Sequence, residues 1–314
     1  MRTGLRRRRG VALSFFLGVQ VSIWNHLIGA EVRYVRTPEF GVTRIIEAGR
    51  QNDEALMLMH GIGGHAEAYA RNIVALAEHY RVVAFDFVGH GLSEKRTDIA
   101  YEIDDYVEQL RELMDALDIE CAHVSGESLG GVVAGTFAVK YPQRVRRIVL
   151  NTTGGIPIIS EQGQRDLQNL AELSKRNMGK APTPESVRAR MQWLIHESNW
   201  HLLNDELVEN RLSFYSRPDF QAAAPLVFGR LTRNAGGSPQ PASMIELESI
   251  QCEALLLWTR HNPIHDVTAA QAALPRLPHG SLYVMRGEAA HWPQYEQPDE
   301  FNTVMHAFLS TGKA

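Results

Sequence analysis

The chain alternates short, apolar, β-rich runs with longer helix-forming stretches, and this alternation limits the folds it can adopt. The predicted strands are residues 32–36, 42–48, 55–60, 81–86, 122–125, 146–151, 254–259 and 281–285. Helical patterns between them lie at residues 67–79, 103–117, 129–140, 267–274 and 298–309. A strand–helix–strand rhythm gives a mostly parallel sheet with helices on both faces. The sequence therefore predicts an α/β protein with a mostly parallel, eight-stranded sheet.

Residues 156–245 interrupt this rhythm with long, polar helical patterns and no convincing strand. These patterns lie at residues 161–177, 184–200 and 205–215. We interpret 156–245 as a helical lid inserted into a core made of residues 31–155 and 246–314. The length of 314 residues, of which 44% are hydrophobic, suits one large domain with such an insertion.

Residues 1–30 form a separate segment in which arginines precede the mostly apolar run 11–24. This order resembles a secretory signal, although the apolar run is too short to span a bilayer. The alternative is an amphipathic helix with Phe16, Val19, Ile23 and Leu27 on one side. We expect a cytoplasmic protein without stable membrane insertion, and export through an N-terminal signal is the alternative.

The net charge of the chain and the wide spacing of its histidines and cysteines limit the kinds of ligand and partner that the protein can bind. A formal net charge of -4 and a pI near 6.4 provide no basic surface for nucleic acid. Cys121 and Cys252 lack a metal-ligand partner at close spacing, and we predict buried thiols in a reducing compartment. We therefore expect a small-molecule substrate, no metal and no nucleic-acid partner, and we leave a homodimer open.

A Gly-x-Ser-x-Gly turn joins the predicted strand 122–125 to the helical stretch 129–140 and presents Ser128 as a nucleophile. A residue on so sharp a turn has strained backbone angles, so the adjacent tight positions need small residues, and Gly126 and Gly130 occupy them. The same five-residue pattern also occurs in ordinary loops. The apolar strand before the turn and the helical pattern after it favour the catalytic interpretation.

Ligand sites of open α/β sheets lie beyond the carboxyl ends of the strands, so the residues after each strand are candidates. The turn after strand 55–60 contains Gly61 and Gly63, which allow the backbone to approach a substrate. The turn lacks the Lys-Ser/Thr ending of a phosphate loop. We predict an oxyanion hole made by the backbone N–H groups of Ile62 and Leu129, the residue after the nucleophile.

Two further turns follow strands. Residues 86–93 are predicted to be a structural turn near the site. His291 follows the last predicted strand, where a general base for the serine belongs in this kind of sheet.

These segments together resemble the α/β-hydrolase superfamily, and most closely the meta-cleavage product hydrolases, which cleave a carbon–carbon bond in ring-fission products of aromatic compounds. The resemblance covers about residues 31–310 and rests on four segments: His60-Gly61-x-Gly63, Asp86-x-x-Gly-x-Gly-x-Ser93, Gly126-Glu-Ser128-Leu-Gly130-Gly131 and His291-Trp-Pro-Gln-Tyr-Glu-Gln-Pro-Asp-Glu-Phe301. It implies an α/β-hydrolase fold with an inserted helical lid and no metal or organic cofactor. It also implies that Arg211 holds the enol and carboxylate end of the substrate and that Trp292 lies beside the base.

The sequence departs from this family at two positions. The family's catalytic aspartate corresponds to Asn262, and the nearest acid is Asp266. Either residue could orient His291, and Asp266 could instead cap the helix 267–274. Glu127 stands where the family has a neutral residue, and its carboxylate should repel an anionic substrate unless it is protonated or paired.

The implied reaction is hydrolysis of a vinylogous 1,5-diketone of the 2-hydroxy-6-oxo-dienoate type to a carboxylic acid and a 2-hydroxydienoate. The same nucleophile, base and oxyanion hole would serve a carboxylesterase or lactonase. A third possibility is a non-catalytic binding protein that has kept the fold, which the asparagine at position 262 favours.

Overall fold

The computed structural model describes residues 21–177, 179–234 and 244–314. One eight-stranded sheet has the order β1-β2-β4-β3-β5-β6-β7-β8. Its strands are β1 (Glu31–Thr37), β2 (Gly41–Ala48), β3 (Ala55–Met59), β4 (Arg81–Phe85), β5 (Ala122–Glu127), β6 (Val145–Asn151), β7 (Glu253–Trp258) and β8 (Gly280–Val284). Only β2 runs antiparallel to its neighbours β1 and β4, and the other pairs are parallel. The predicted fold and all its strands are confirmed.

Helices cover both faces of the sheet. Those in the described residues are α1 (Ile73–Leu76), α2 (Ile103–Ala116), α3 (Leu129–Lys140), α4 (Glu161–Asn177), α5 (Pro184–Gln192), α6 (Asp205–Tyr215), α7 (Pro218–Asn234), α8 (Val267–Ala273), α9 (Pro293–Glu296) and α10 (Pro298–Thr311). Alternate residues of the central strand β3 point to opposite faces. Met57 and Met59 pack in the cluster that includes α2, α3 and α8, whereas Leu56 and Leu58 pack in the cluster that includes α1 and α10. This two-sided burial explains the continuous apolar runs of the central strands.

The predicted helix 67–79 is wrong, because the chain forms a 3₁₀ turn at Ala66–Tyr69 and then the short α1. Asn72 lies at the break, and its side-chain amide donates to the carbonyl of Gln294 at 3.0 Å and to the side chain of Asn302 at 2.9 Å. This tertiary anchoring favours a broken segment over the continuous helix that the apolar spacing predicts.

The helices α4–α7 are inserted between β6 and β7, the interval in which we predicted a lid. The helix predicted for 184–200 ends at Gln192 and is followed by the 3₁₀ turn Glu197–Leu202. Helix α7 was not predicted. It begins with Pro218, which suits the first turn of a helix, and it contains Pro225, which sequence reasoning treats as a helix breaker.

The N-terminal segment is described only from Val21 onward, so the basic stretch, Phe16 and Val19 lie outside the described residues. Ile23 is buried among residues of α5 and α6, and its backbone N–H donates to Glu206 at 3.0 Å. In the part of the chain that the structure describes, no helix is long and apolar enough to cross a bilayer. Cys121 and Cys252 are free thiols and are half-buried, not fully buried as predicted.

Candidate active site

Ser128 occupies a sharp turn between the end of β5 and the start of α3, with backbone angles φ 55° and ψ -112°. A Cβ atom at position 126 would lie 2.0 Å from the carbonyl group of Gly130. A Cβ at position 130 would lie 2.3 Å from the carbonyl oxygen of Met59 on β3. The turn therefore requires glycine at both positions. It directs Ser128 beyond the carboxyl ends of the parallel strands.

Ser128 lines a largely apolar cavity of about 180 Å³ between the carboxyl edge of the sheet and the inserted helices. Most of the predicted site residues line it too: Gly61, Ile62, Glu127, Leu129, Arg211, His291 and Trp292. Gly63 does not; its carbonyl instead accepts a hydrogen bond from the hydroxyl of Tyr215 on α6 at 2.7 Å.

His291 is held by Asn262, whose Oδ1 lies 2.7 Å from the Nδ1 atom of the ring. The amide Nδ2 of Asn262 donates to the carbonyl of His265 at 2.6 Å, which fixes the oxygen as the atom facing the ring. The backbone carbonyl of His291 also accepts a hydrogen bond from the Thr152 hydroxyl at 3.0 Å. Both side chains of the Asn262–His291 pair are buried, so the ring orientation is well defined.

Asp266 is not brought to His291. Its carboxylate caps α8 and accepts hydrogen bonds from the backbone N–H groups of Thr268 at 3.0 Å and Ala269 at 3.3 Å. The helix-capping role that the sequence left open is therefore the one that Asp266 adopts in the structure.

The buried carboxylate of Glu127 contacts both His291 and the glycine-rich turn. Its Oε1 lies 3.1 Å from Nε2 of His291, and its Oε2 accepts a hydrogen bond from the Gly61 N–H at 2.7 Å. The carboxylate beside Ser128 therefore has a hydrogen-bond donor at one oxygen and the His291 ring at the other. The packing also leaves no room at position 61, where a Cβ atom would lie 2.6 Å from Glu127 Oε1.

Arg211 on α6 is only 1% exposed, and its guanidinium lies 4.7 Å from the centre of the Trp292 ring. Its Nε and Nη2 atoms have no hydrogen-bond partner among the described residues. Burial lowers the pKa of Arg211, and attraction to Tyr215 and Glu127 opposes this effect only in part. A buried cation with free N–H groups is costly without an anionic ligand.

Of the described titratable residues that line the cavity, two were missed by sequence reasoning. Arg190 on α5 also lines the cavity, and burial together with the nearby charge of Arg211 lowers its pKa. His265 lies between Asn262 and the helix cap, where burial and the proximity of His291 lower its pKa to about 4. In the sequence, Arg190 is one of several charged residues of a polar helix and carries no motif that would single it out.

The loop that carries His291 is fixed by the buried carboxylate of Glu296. Its Oε1 accepts hydrogen bonds from the N–H groups of Ala290 at 2.8 Å and Trp292 at 3.3 Å, on either side of His291. Its Oε2 accepts from the N–H of His196 at 2.8 Å, between α5 and α6. Burial raises the pKa of Glu296, while these hydrogen bonds oppose that rise. Glu296 thus ties the loop of His291 to the inserted segment.

The turn at residues 86–93 has the structural role that we predicted. Asp86 accepts hydrogen bonds from the N–H groups of Leu92 at 2.7 Å and Ala66 at 2.8 Å, and it pairs with Arg44 at 2.7 Å. A Cβ atom at position 91 would lie 2.0 Å from Asp86, and the backbone there has φ 49°, so only glycine fits.

Residues 54–298 match the α/β hydrolase fold family. A 2-hydroxy-6-oxononadienedioate/2-hydroxy-6-oxononatrienedioate hydrolase from Escherichia coli is 28% identical over 292 residues, which cover 90% of this chain and 96% of that one. The meta-cleavage product hydrolase CumD from Pseudomonas fluorescens has a TM-score of 0.72 at 25% identity, covering 91% of this chain and all of its own. A serine hydrolase from the polyaromatic-hydrocarbon-degrading bacterium Cycloclasticus zankles has a TM-score of 0.75 at 25% identity, covering 90% and 98%. The chain is thus similar to the meta-cleavage product hydrolases, and it is a hydrolase that belongs to the α/β-hydrolase fold family.

Proposed function

We propose that the protein hydrolyses a carbon–carbon bond in a ring-fission product of the 2-hydroxy-6-oxo-dienoate type, with Ser128 as nucleophile. The observation that carries this proposal is the buried guanidinium of Arg211, which lies over the Trp292 ring in the same cavity as Ser128 and has N–H groups without a hydrogen-bond partner among the described residues. A substrate with a carboxylate and an enol oxygen would supply the missing acceptors.

In this proposal His291 is the general base and Asn262 fixes its orientation through Nδ1. The backbone N–H groups of Ile62 and Leu129 form the oxyanion hole. Both residues line the cavity with Ser128, and Leu129 is the first residue of α3, where N–H groups have no partner within the helix. After the dienol has ketonised, Ser128, or a water activated by His291, adds to the carbonyl, and cleavage releases a carboxylic acid and a 2-hydroxydienoate.

We take the inserted helices α4–α7 as a lid that supplies the charge for substrate recognition. Arg190 comes from α5 and Arg211 from α6, and both line the cavity above Ser128. Two cations beside one carboxylate, Glu127, give the cavity a positive balance that favours an anionic substrate.

A carboxylesterase is the second candidate, because the apolar lining and the serine–histidine arrangement would also accept a neutral ester. The test is to follow loss of the yellow colour of a ring-fission dienoate and release of p-nitrophenol from an ester with the same preparation. We expect a higher kcat/KM for the dienoate. Turnover of the ester without turnover of any dienoate would favour the esterase instead.

A further inference from the structure

The imidazole ring of His291 lies between two hydrogen-bond acceptors. Asn262 Oδ1 is 2.7 Å from Nδ1, and Glu127 Oε1 is 3.1 Å from Nε2. A neutral imidazole carries one N–H and can donate to only one of these atoms, whereas the imidazolium can donate to both. The two contacts are therefore best satisfied by the protonated ring.

We propose that Glu127 is a positioning residue that supplies the negative charge missing from position 262. In a Ser-His-Asp triad this charge faces the Nδ1 side of the ring and stabilises the imidazolium. Here the Nδ1 partner is an amide, and the carboxylate faces the Nε2 side. The inference rests on the proposed roles of Ser128 and His291, and it assigns Glu127 a role beyond them.

The surroundings of Glu127 can hold its charge in the cavity. Its side chain is 3% exposed, so an isolated carboxylate at this position would be costly. The fixed N–H of Gly61 donates to Oε2 at 2.7 Å, and Arg211 attracts the carboxylate from α6. Among the described residues, the other titratable groups that line the cavity with His291 are Arg190, Arg211 and His265, and a low pKa of about 4 keeps His265 neutral near pH 7. Glu127 is thus the carboxylate placed to stabilise a cationic His291.

The charge acts when the nucleophile adds to the substrate. The Oγ–H bond of Ser128 breaks and its proton bonds to Nε2 of His291, while an Oγ–C bond forms and the carbonyl π electrons move onto the substrate oxygen. The resulting imidazolium directs Nδ1–H to Asn262 and has Glu127 beside Nε2–H. When the oxyanion re-forms the carbonyl, the carbon–carbon bond breaks, its electron pair stays with the dienolate fragment, and the proton on Nε2 transfers to that fragment. Water, deprotonated by His291, then adds to the acyl-serine, the Oγ–C bond breaks, the proton returns to Oγ, and the carboxylic acid leaves.

The same contact also stabilises the protonated ring before substrate adds. Removing the charge of Glu127 should therefore lower the maximal kcat and also shift the pH profile toward activity at lower pH. In Glu127→Gln the maximal kcat should fall, on the order of 10²-fold, because the imidazolium loses its counter-charge. The acidic limb of the kcat/KM profile should move to lower pH, because the resting ring gives up its proton more readily. The glutamine carbonyl can still accept the Gly61 N–H, so the turn is preserved. If the role of Glu127 were purely structural, Glu127→Gln would lower activity without moving the acidic limb of the kcat/KM profile.

Returning a carboxylate to the usual side of the ring should rescue this variant. We expect Asn262→Asp in the Glu127→Gln background to raise kcat at least about tenfold over Glu127→Gln alone, because aspartate can stabilise the imidazolium through Nδ1. In the wild-type background the same substitution should give a smaller gain, because Glu127 already acts there. Glu127→Asp keeps the charge and should retain more activity than Glu127→Gln. Glu209→Gln, an exposed change on α6, is the matched control and should leave both kcat and the limb unchanged.

The rate at which a fluorophosphonate labels Ser128 separates this inference from the choice of substrate. In that reaction an Oγ–P bond forms, the P–F bond breaks, and fluoride and the serine proton leave, so the rate depends on the base but not on a dienoate. Labelling should slow in Glu127→Gln and recover in the double variant. A wild-type enzyme that labels at Ser128 but cleaves no dienoate overturns only the proposed substrate. Two outcomes would overturn the role of Glu127. One is that wild type and Glu127→Gln label at the same rate and have the same acidic limb in their kcat/KM profiles. The other is that the double variant folds but recovers neither kcat nor the labelling rate.

Discussion

Ser128 can be tested with little disturbance to the fold, because alanine is as small as serine and keeps the turn at φ 55°. We expect Ser128→Ala to lower turnover by at least about 10³-fold with an unchanged circular dichroism spectrum, since loss of a triad nucleophile costs orders of magnitude. Ser125→Ala is the matched control, because Ser125 is a fully buried serine on β5, just before the turn, and does not line the cavity. Activity within about tenfold of wild type in Ser128→Ala would remove Ser128 as the nucleophile.

Arg211 should discriminate between charged and neutral substrates. In Arg211→Gln we expect kcat/KM for the dienoate to fall by about 10²-fold, and for a p-nitrophenyl ester by less than about threefold, because only the dienoate offers an anionic partner. Arg211→Lys should recover part of the loss, since it restores charge without the planar fork. Arg176→Gln, an exposed change on α4, should affect neither substrate. Equal losses on both substrates would assign Arg211 a structural role.

The positions of Ser128 and His291 could be predicted because each follows a strand, and parallel strands bring their carboxyl ends to one edge. The side chains that contact the His291 ring could not be predicted in this way. Asn262 and Asp266 are close in sequence, and only the path of the loop directs one to the ring and the other to the cap of α8. The contact between Glu127 and His291 joins residues far apart in the chain, and no local pattern encodes it.

At the scale of elements, Glu296 at the end of α9 holds the loop that carries His291. In the wild-type protein both carboxylate oxygens of Glu296 accept hydrogen bonds from backbone N–H groups. In Glu296→Gln the NH₂ group would therefore face a backbone N–H whichever way the amide is turned. We expect unfolding free energy to fall by about 2–4 kcal/mol and kcat by about tenfold, measured by urea unfolding and steady-state kinetics.

The matched control is Glu300→Gln on α10. Glu300 likewise accepts from two backbone N–H groups, those of Arg286 at 2.7 Å and Gly287 at 3.0 Å, at the end of β8 and farther along the chain from His291. This variant should lose stability and keep its kcat. An equal loss of kcat in both variants would show that Glu296 acts only through overall stability.

Strands and helices were predicted correctly where one local sequence signal, such as a continuous apolar run or a glycine turn, determines them. The central strands of the sheet, such as β3 and β7, are apolar on both faces, and α3 follows its glycine turn with the predicted bounds. The prediction failed for α7, because Pro225 is tolerated inside that helix. It also failed for residues 67–79, where contacts of Asn72 with the C-terminal part of the chain break the helix. Tertiary contacts of this kind leave no periodic signal in the sequence.

At the scale of the whole molecule, charged and imidazole groups are buried beneath the cavity. Arg44 is 3% exposed and bonds to both Glu67 at 2.6 Å and Asp86 at 2.7 Å, which links the middle of β2 and the end of β4 to the turn after β3. Burial opposes ionisation of Glu67, yet hydrogen bonds from Arg44 and His65 hold its pKa well below the usual range. Burial favours the neutral form of the nearby imidazoles of His60 and His90.

This arrangement predicts a loss of stability in acid. Burial lowers the pKa of His60 and of His90 to about 3, although hydrogen bonds to the carbonyls of Gly61 and Val88 oppose the shift, whereas an unfolded histidine has a pKa of about 6.5. The unfolded chain therefore binds more protons below about pH 6.5, so unfolding free energy falls as the pH is lowered, until the folded pKa values are reached. For one such histidine the loss between pH 7 and pH 5 is on the order of 2 kcal/mol. Glu67, with its lowered pKa, adds a loss of the same sign below about pH 4.3.

Urea unfolding at a series of pH values between about 7 and 5 would measure this slope, and His90→Gln is the informative variant. His90 is fully buried, and its Nε2 has no hydrogen-bond partner among the described residues, so glutamine removes the titrating group from a site that it can nearly fill. The variant should be less stable than wild type at pH 7 and should lose less stability on acidification, by about 2 kcal/mol at pH 5. Parallel pH dependences for the two proteins would mean that His90 protonates equally well in the folded and unfolded chains, which contradicts its burial as the cause of the low pKa.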